Sequence, residues 1–288
     1  MDAGPRAQQL IVLGAGVMGS SITTTAVGHG IPVLLVDVDE EILGQARNRI
    51  AQQLRHAQLL SALPQERRPG ELQTSTSVGS AMGTTAVIEA VTEDFSLKHK
   101  LLAGVSEAVP PGTPLITNTS GIPIDELADG LPRPEDLVGT HFMNPAYLIK
   151  MVEVVRGPRT AQATMTAVEE LLTALDRQAV LVQDSPGFVT SRLLHPMIND
   201  AARIVGQGIA TAEAVDTLMQ GCLGHPTGPL RTADLIGLDN LVDSLAALYE
   251  RTGEERFRPC QFLLEKVERQ QLGRKSGQGF YEYGEVLS

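Results

Sequence analysis

The chain has 288 residues, of which 42% are hydrophobic and 20% are charged, and its formal net charge is −11. This length allows one large or two ordinary domains, and the acidic balance argues against general binding to nucleic acids or anionic membranes. No apolar run approaches the roughly 20 residues of a membrane span, and residues 1–6 show no signal-peptide pattern. Because its only cysteines are Cys222 and Cys260, we expect no disulfide framework, no metal site and a cytoplasmic location.

Two short apolar runs, residues 9–13 and 31–36, open the chain and are bounded by Gly or Asp. Such runs are typical of strands buried on both faces of a parallel sheet. The stretch Met18–His29 between them is compatible with a helix, so the first 36 residues predict a βαβ unit. A longer helical segment is expected over residues 40–63.

The alternation of strands and helices continues to about residue 185. A helix is expected near residues 96–108. Further strands are predicted at residues 86–91, 115–119, 138–142, 151–155 and 179–183. This alternation predicts a doubly wound α/β domain.

The pattern changes at residues 184–187, which read Asp-Ser-Pro-Gly. Beyond this point the sequence predicts helices at residues 188–206, 211–222, 236–250 and 260–270. Thr211 with Glu213 is a suitable start for the second of them. We therefore predict a first domain over residues 1–185 and a helical second domain over residues 186–288.

The first strand runs into a glycine-rich turn, G-x-G-x-x-G, at the start of a helix. This order of elements lets backbone N–H groups and a helix N-terminus hold a pyrophosphate, although structural glycines are the alternative. The predicted cofactor-binding residues of the turn are Gly14, Gly16, Val17, Met18 and Gly19. Asp37, which ends the next strand, is expected to accept hydrogen bonds from a ribose diol and to repel a 2′-phosphate, so NAD is favoured over NADP. A helix N-cap role for Asp37 is the alternative.

His141 lies at the end of a predicted strand, where open α/β sheets place their ligands. Glu153 alternates with Met151 and Val155 in another apolar strand, and a buried Glu needs a cationic partner. A His141–Glu153 pair could remove the proton from an alcohol, which predicts hydride transfer to a nicotinamide. A packed or capping histidine is the alternative.

Two more groups of polar residues have both a functional and a structural interpretation. Asn118 and Ser120, at another strand end, could hold the reacting oxygen, although a turn or N-cap would also explain them. Two basic clusters could be local patches or solvated helix faces. They consist of Arg55, Arg67 and Arg68, and of Lys98, His99 and Lys100.

These motifs occur in blocks that resemble the L-3-hydroxyacyl-CoA dehydrogenases, including the short bacterial 3-hydroxybutyryl-CoA dehydrogenases. The blocks are Gly14–Gly19, Ile88–Glu93, Asn118–Ser120, Gly139–Pro145, Met151–Val155, Asp184–Phe188, Arg192–Leu194, His225–Pro229, Asp234–Asp239 and Gly273–Phe280. The resemblance implies a Rossmann-like domain with a helical hairpin over about residues 40–72, and a helical second domain that forms a homodimer. It also implies reversible, NAD-dependent oxidation of a 3-hydroxyacyl thioester.

The resemblance further implies roles for individual residues. His141 would be the catalytic base, Glu153 its orienting partner, and Ser120 a hydrogen-bond partner of the substrate's 3-oxygen. The residues expected on the nicotinamide side of the cofactor are Glu93, Lys98 and Asn118.

Two departures from the family pattern concern the substrate. Ser191 stands where the family has Asn among its polar active-site residues, and we expect this shorter side chain to reach the substrate through water. Residues 51–66, in the hairpin region that helps to hold CoA phosphates in the family, contain no lysine. Residues 226–233 and 257–260 resemble a branch of polyketide extender-unit pathways that acts on an acyl carrier protein. Both CoA and acyl carrier protein therefore stay open as carriers, with the carrier protein slightly favoured.

Two other classes of protein compete with this interpretation. The β-hydroxyacid dehydrogenases share a similar glycine motif and use a catalytic lysine, for which Lys150 would be the candidate. A non-catalytic NAD-binding structural or sensing protein is the other alternative, and Ser191 could mark such a loss of activity.

Overall fold

A computed structural model describes residues 9–64, 67–79 and 83–284. Residues 1–6, on which the expectation about a signal peptide rests, and Gln65 and Glu66 of the hairpin region lie outside the described residues. The chain divides into two compact units, Met1–Ser185 and Pro186–Ser288. Among the described residues, no helix is long and apolar enough to cross a membrane.

The first unit is built on one eight-stranded sheet in the order β3-β2-β1-β4-β5-β6-β7-β8. Its strands are β1 (Leu10–Leu13), β2 (Val33–Val36), β3 (Leu72–Ser75), β4 (Ala86–Glu89), β5 (Leu115–Thr117), β6 (Leu137–Phe142), β7 (Met151–Arg156) and β8 (Gln178–Gln183). Neighbouring strands run parallel except β6 and β7, which are antiparallel. Every apolar run predicted as a strand forms one, and the doubly wound α/β class is confirmed.

Among the described residues, five α-helices accompany this sheet. They are α1 (Val17–Gly28), α2 (Glu40–Leu59), α3 (Phe95–Ala108), α4 (Ile124–Ala128) and α5 (Gln162–Ala174). Aliphatic side chains of β1, β2 and β4 form one buried core with residues of α1, α2 and α5. Burial of this apolar surface is the main stabilising contribution to the unit.

Helix α1 is buried almost all round although it carries several hydroxyl side chains. Some of these hydroxyls donate to carbonyl oxygens about one turn earlier, as Ser20 does to Ala15 (3.1 Å) and Thr25 to Ser21 (2.9 Å), whereas the hydroxyl of Thr23 has no partner among the described residues. A buried hydroxyl is tolerated when it is hydrogen-bonded in this way. The polar sequence of α1 is therefore compatible with a central position beside the sheet.

The predicted helical hairpin over residues 40–72 is wrong, because α2 stands alone. No second helix occurs among the described residues between Leu59 and β3. Ser61 adopts a positive φ of 54°, and Gly70 lies so close to the backbone of Ile31 that a Cβ there would overlap it. The described residues between α2 and β3 thus follow an irregular path and form no second helix.

One strand of the first unit, β3, and two of its α-helices, α4 and α5, were not predicted. The strand β3 reads Leu-Gln-Thr-Ser and lies at the edge of the sheet, where an apolar run is not required. Helix α5 does carry a helical pattern, since Met165, Val168 and Leu172 are all buried. The spacing of these apolar residues was a signal for α5 in the sequence.

The second unit is helical, as predicted. Its helices are α6 (Thr190–Gly206), α7 (Ala212–Leu223), α8 (Pro229–Ile236), α9 (Leu238–Thr252) and α10 (Gln261–Glu268). Thr211 caps α7 by accepting a hydrogen bond from the N–H of Ala214 (3.2 Å). The helix predicted at residues 236–250 is part of a pair, α8 and α9, separated by Gly237 with a φ of 93°.

Two buried carboxylates hold the C-terminal segment of the second unit. Asp234 accepts hydrogen bonds from the N–H groups of Phe280 (2.9 Å) and Tyr281 (3.0 Å) and from the Tyr283 hydroxyl (3.0 Å). Asp216 accepts from the hydroxyl of Tyr281 (2.8 Å). Burial raises the pKa of Asp234. Burial and the nearby Asp234 carboxylate together raise the pKa of Tyr283 to about 12. The last described residues are therefore part of the folded unit.

Candidate active site

The glycine-rich turn between β1 and α1 has three glycines with different physical requirements. Gly14 has a φ of 95° and lies against the backbone of Ala90, and a Cβ on Gly19 would overlap the carbonyl oxygen of Gly14. Gly16 has an ordinary φ of −66°, and no atom of the described residues lies within 4 Å of where its Cβ would be. Folding thus accounts for two of the glycines, and the open space above Gly16 fits the close approach of a pyrophosphate.

The side chains beside the turn fit a dinucleotide as well. Asp37 follows β2, and its Oδ2 accepts a hydrogen bond from the N–H of Ala15 (2.8 Å). Val17 opens α1 with 54% of its surface exposed, whereas Met18 packs partly against the core. The alternative role of Asp37 as a helix N-cap is wrong, since the N-cap of α2 is Asp39.

A buried ionic network lies where β4 ends and α3 begins. The ammonium group of Lys98 is 2.7 Å from Glu89 and 3.2 Å from Glu93, and the side chains of Lys98 and Glu89 are both fully buried. Glu89 also accepts from the N–H of Val91 and the hydroxyl of Thr117, both at 2.7 Å. Lys98 therefore cannot belong to an exposed basic patch, and that interpretation of residues 98–100 is wrong.

Glu93 connects this network to the predicted substrate-binding residues after β5. Its Oε1 accepts from the hydroxyl of Thr119 (2.5 Å) and from the N–H of Ser120 (2.8 Å). The side chain of Glu93 stays 42% exposed. Glu89 was missed in the sequence analysis, although a Glu that ends an apolar strand nine residues before a Lys was a usable signal.

Asn118 is held beside the end of β6. Its Oδ1 accepts a hydrogen bond from the N–H of Phe142 (3.0 Å), and its own N–H donates to the carbonyl oxygen of Glu89 (2.8 Å). Its side-chain amide nitrogen, Nδ2, donates to no residue that the structure describes. Since the oxygen is occupied, the nitrogen is the atom with which Asn118 could bind a ligand.

His141 and Glu153 are cross-strand partners on β6 and β7, the antiparallel pair of the sheet. Nδ1 of His141 lies 3.1 Å from Oε2 of Glu153, and the two residues are only 7% and 6% exposed. A carboxylate can only accept at this contact, so a proton on Nδ1 satisfies it and leaves Nε2 as the ring nitrogen that could take up a proton. The structure thus brings together the two residues that the sequence paired.

Two further residues from the sequence analysis are Ser191 and Lys150. Ser191 is buried in the first turn of α6, in the second unit, whereas the other predicted site residues belong to the first. Lys150, the candidate lysine of the competing dehydrogenase class, forms an ion pair with Asp176 (2.7 Å) and is 57% exposed. An exposed ion pair gives no support to a catalytic role for Lys150.

The glycine-rich turn, Asp37 and the doubly wound sheet define the first unit as an NAD-binding domain of a dehydrogenase. Comparison with known proteins agrees. Residues 9–185 match the family model of the 3-hydroxyacyl-CoA dehydrogenase NAD binding domain, and residues 187–283 match the model of the C-terminal domain.

Similar proteins match over almost their whole length. A probable 3-hydroxybutyryl-CoA dehydrogenase of Bacillus subtilis is 39% identical, over 98% of this chain and 99% of its own. The crystal structure of FadB2 of M. tuberculosis has a TM-score of 0.91 at 36% identity, covering 97% of this chain and 100% of that one. The (S)-3-hydroxybutyryl-CoA dehydrogenase PaaH1 of Ralstonia eutropha has a TM-score of 0.86 at 34% identity, with the same coverage.

The chain therefore belongs to the 3-hydroxyacyl-CoA dehydrogenase family. It is an NAD-dependent oxidoreductase that acts on a CH–OH group. This membership favours the catalytic interpretation over that of a non-catalytic NAD-binding protein.

Proposed function

We propose that the protein oxidises the 3-hydroxyl group of a short 3-hydroxyacyl thioester to the 3-oxo product. The observation that carries this proposal is the buried His141–Glu153 pair, with its 3.1 Å contact across β6 and β7. The names of its full-length relatives, which are 3-hydroxybutyryl-CoA dehydrogenases, support a short acyl chain.

His141 is the base in this proposal. Bound NAD⁺ supplies the acceptor for the hydride from C3. Nε2 of His141 removes the proton of the 3-hydroxyl group, since Glu153 holds the proton of Nδ1. The Glu153 carboxylate then stabilises the imidazolium ion, because an opposite charge nearby favours the protonated ring.

Ser120 and Asn118 hold the reacting oxygen. The hydroxyl of Ser120 and the amide nitrogen of Asn118 make no hydrogen bond to a described residue, so each can donate to a ligand. Glu93 fixes the backbone of Ser120 and is itself paired with Lys98. In this arrangement Lys98 acts through Glu93 on the nicotinamide side of the cofactor.

CoA is the carrier that the relatives' names support. Acyl carrier protein is the second candidate, because residues 51–66 contain no lysine to meet the phosphates of CoA. Helix α2 ends at Leu59, and the described residues after it do not form the second helix of the predicted hairpin. This shorter helical region also supports the second candidate.

The test is to measure NADH formation with one 3-hydroxybutyryl group, offered on CoA and on a phosphopantetheinylated carrier protein. A rate at least tenfold higher on CoA supports the first candidate, and the reverse preference assigns the carrier protein. No turnover on either substrate, by a protein that still binds NAD⁺, overturns the proposal.

Three finer expectations belong to the same proposal. Ser191 contacts the substrate through water, so Ser191→Asn should change the KM for the thioester more than the Kd for NADH. The protein is a homodimer, which sedimentation velocity tests. It acts in the cytoplasm, which fractionation of the source cells tests.

A further inference from the structure

Arg49 lies beside the glycine-rich turn but has no role in the function described above. It belongs to α2, and its Nη1 lies 3.2 Å from the hydroxyl of Ser20 and 3.4 Å from the carbonyl oxygen of Ala15. Ala15 is inside the turn and Ser20 is in the first turns of α1. The half-buried guanidinium group is therefore at the place where the chain leaves β1 for α1.

No carboxylate in the part of the chain that the structure describes balances the charge of Arg49. No carboxylate of the described residues forms an ion pair with it, and its Nε and Nη2 donate to none of them. Both contacts of Nη1 are to neutral oxygens. A half-buried cation without an anionic partner is costly, so the lack of a counter-ion among the described residues points to an anion that arrives with a ligand.

We propose that Arg49 binds the pyrophosphate of the dinucleotide and supplies its positive counter-charge. The open space at Gly16 admits the pyrophosphate to the N-terminus of α1, and Ala15 and Ser20 hold the guanidinium next to that space. A guanidinium matches phosphate oxygens with several parallel donors. Its Nε and Nη2 are the donors that remain for this contact.

A purely structural role would be to tie α2 to α1. One turn further along both helices, Gln53 makes such a tie without charge, by accepting from the hydroxyl of Thr24 (2.7 Å). The matched control for helix packing is therefore Gln53→Leu. Arg47 is the control for loss of charge, since it lies on the same helix and donates to the hydroxyl of Thr74 (2.5 Å).

The experiment is calorimetric titration of the full chain with adenosine, ADP and NADH, for the wild type, Arg49→Met, Arg47→Met and Gln53→Leu. We expect Arg49→Met to raise the Kd for ADP and NADH about tenfold or more and to leave the Kd for adenosine within about twofold. The Kd for ADP should also depend less on salt in this variant. The two control variants should bind all three ligands like the wild type.

Unchanged binding of ADP and NADH by Arg49→Met, with only a lower melting temperature, overturns the proposal and leaves the structural tie. An equal loss for adenosine and ADP also overturns it, because adenosine has no phosphate. Should Arg49→Met fail to fold, Arg49→Lys replaces it. A lysine keeps the charge but not the planar donors, so we then expect a smaller increase of Kd that is confined to the phosphate-containing ligands.

Discussion

Glu89 and Lys98 form an ion pair of 2.7 Å in which neither side chain is exposed. The pair joins the end of β4 to the first turn of α3, and the other Glu89 oxygen accepts from Thr117 on β5. Lys98 also contacts Glu93, which holds Ser120. The buried pair is thus connected, through Glu93, to Ser120 of the proposed substrate site.

The first prediction concerns this ion pair. Lys98→Met should lower the free energy of unfolding by about 3–5 kcal/mol, because the carboxylate of Glu89 stays buried without a cationic partner. Glu89→Gln should cost less, because Lys98 keeps its contact with Glu93 at 3.2 Å. The double variant should lose less than the sum of the two single losses. Urea unfolding followed by circular dichroism measures all three values. Additive losses would show that the two groups do not stabilise each other.

The second prediction separates two glycines of the turn. Gly19→Ala should destabilise the first unit by about 1–3 kcal/mol, since the new methyl group overlaps the carbonyl oxygen of Gly14. Gly16→Ala should leave the melting temperature of the free protein unchanged, because none of the residues that the structure describes lies within 4 Å of its Cβ. It should nevertheless weaken NADH binding at least tenfold, as a titration would show. Wild-type affinity in Gly16→Ala would exclude a close approach of the pyrophosphate at this residue.

The third prediction tests the proposed base and its partner. His141→Ala should lower kcat about 10²- to 10⁴-fold, the usual contribution of a general base. Glu153→Gln should lower kcat about tenfold or more, because an amide cannot stabilise the imidazolium ion as a carboxylate does. Single-turnover NADH formation measures both effects. Asp176→Asn is the control, since it removes the carboxylate of an exposed ion pair and should keep the wild-type rate. A wild-type rate in Glu153→Gln would remove Glu153 from the mechanism.

The fourth prediction concerns pH. Burial lowers the pKa of His29, and the neighbouring Arg177 and Arg67 act in the same direction. The unfolded chain, with a His pKa of about 6.5, therefore binds more protons than the folded one below neutral pH. The contribution of His29 to the stability of the folded protein is complete above about pH 6.5 and is lost as the pH falls. The melting temperature should decline less between pH 7.5 and 5.5 in His29→Asn than in the wild type. Equal declines would contradict this assignment.

The sequence predicted most of the fold because its signals are local. Apolar runs of strand length and the break at residues 184–187 can be seen in short windows of sequence. The hairpin over residues 40–72 was wrong because it came from the family pattern and not from the residues of this chain. The edge strand β3 has no apolar run, so its pairing with β2 could not be predicted from composition.

The sequence by itself determined the class of fold, the dinucleotide turn and the identity of the two residues of the proposed pair. A glycine-rich turn works through its own backbone, so its residues and their spacing are sufficient to predict it. The tertiary structure decided which side chains meet. The antiparallel register of β6 and β7 places His141 opposite Glu153, and a shift of one residue would turn these side chains to opposite faces of the sheet. Burial of Lys98 against Glu89, and the place of Arg49 at the turn, likewise depend on how separate elements pack, which no local stretch of sequence encodes.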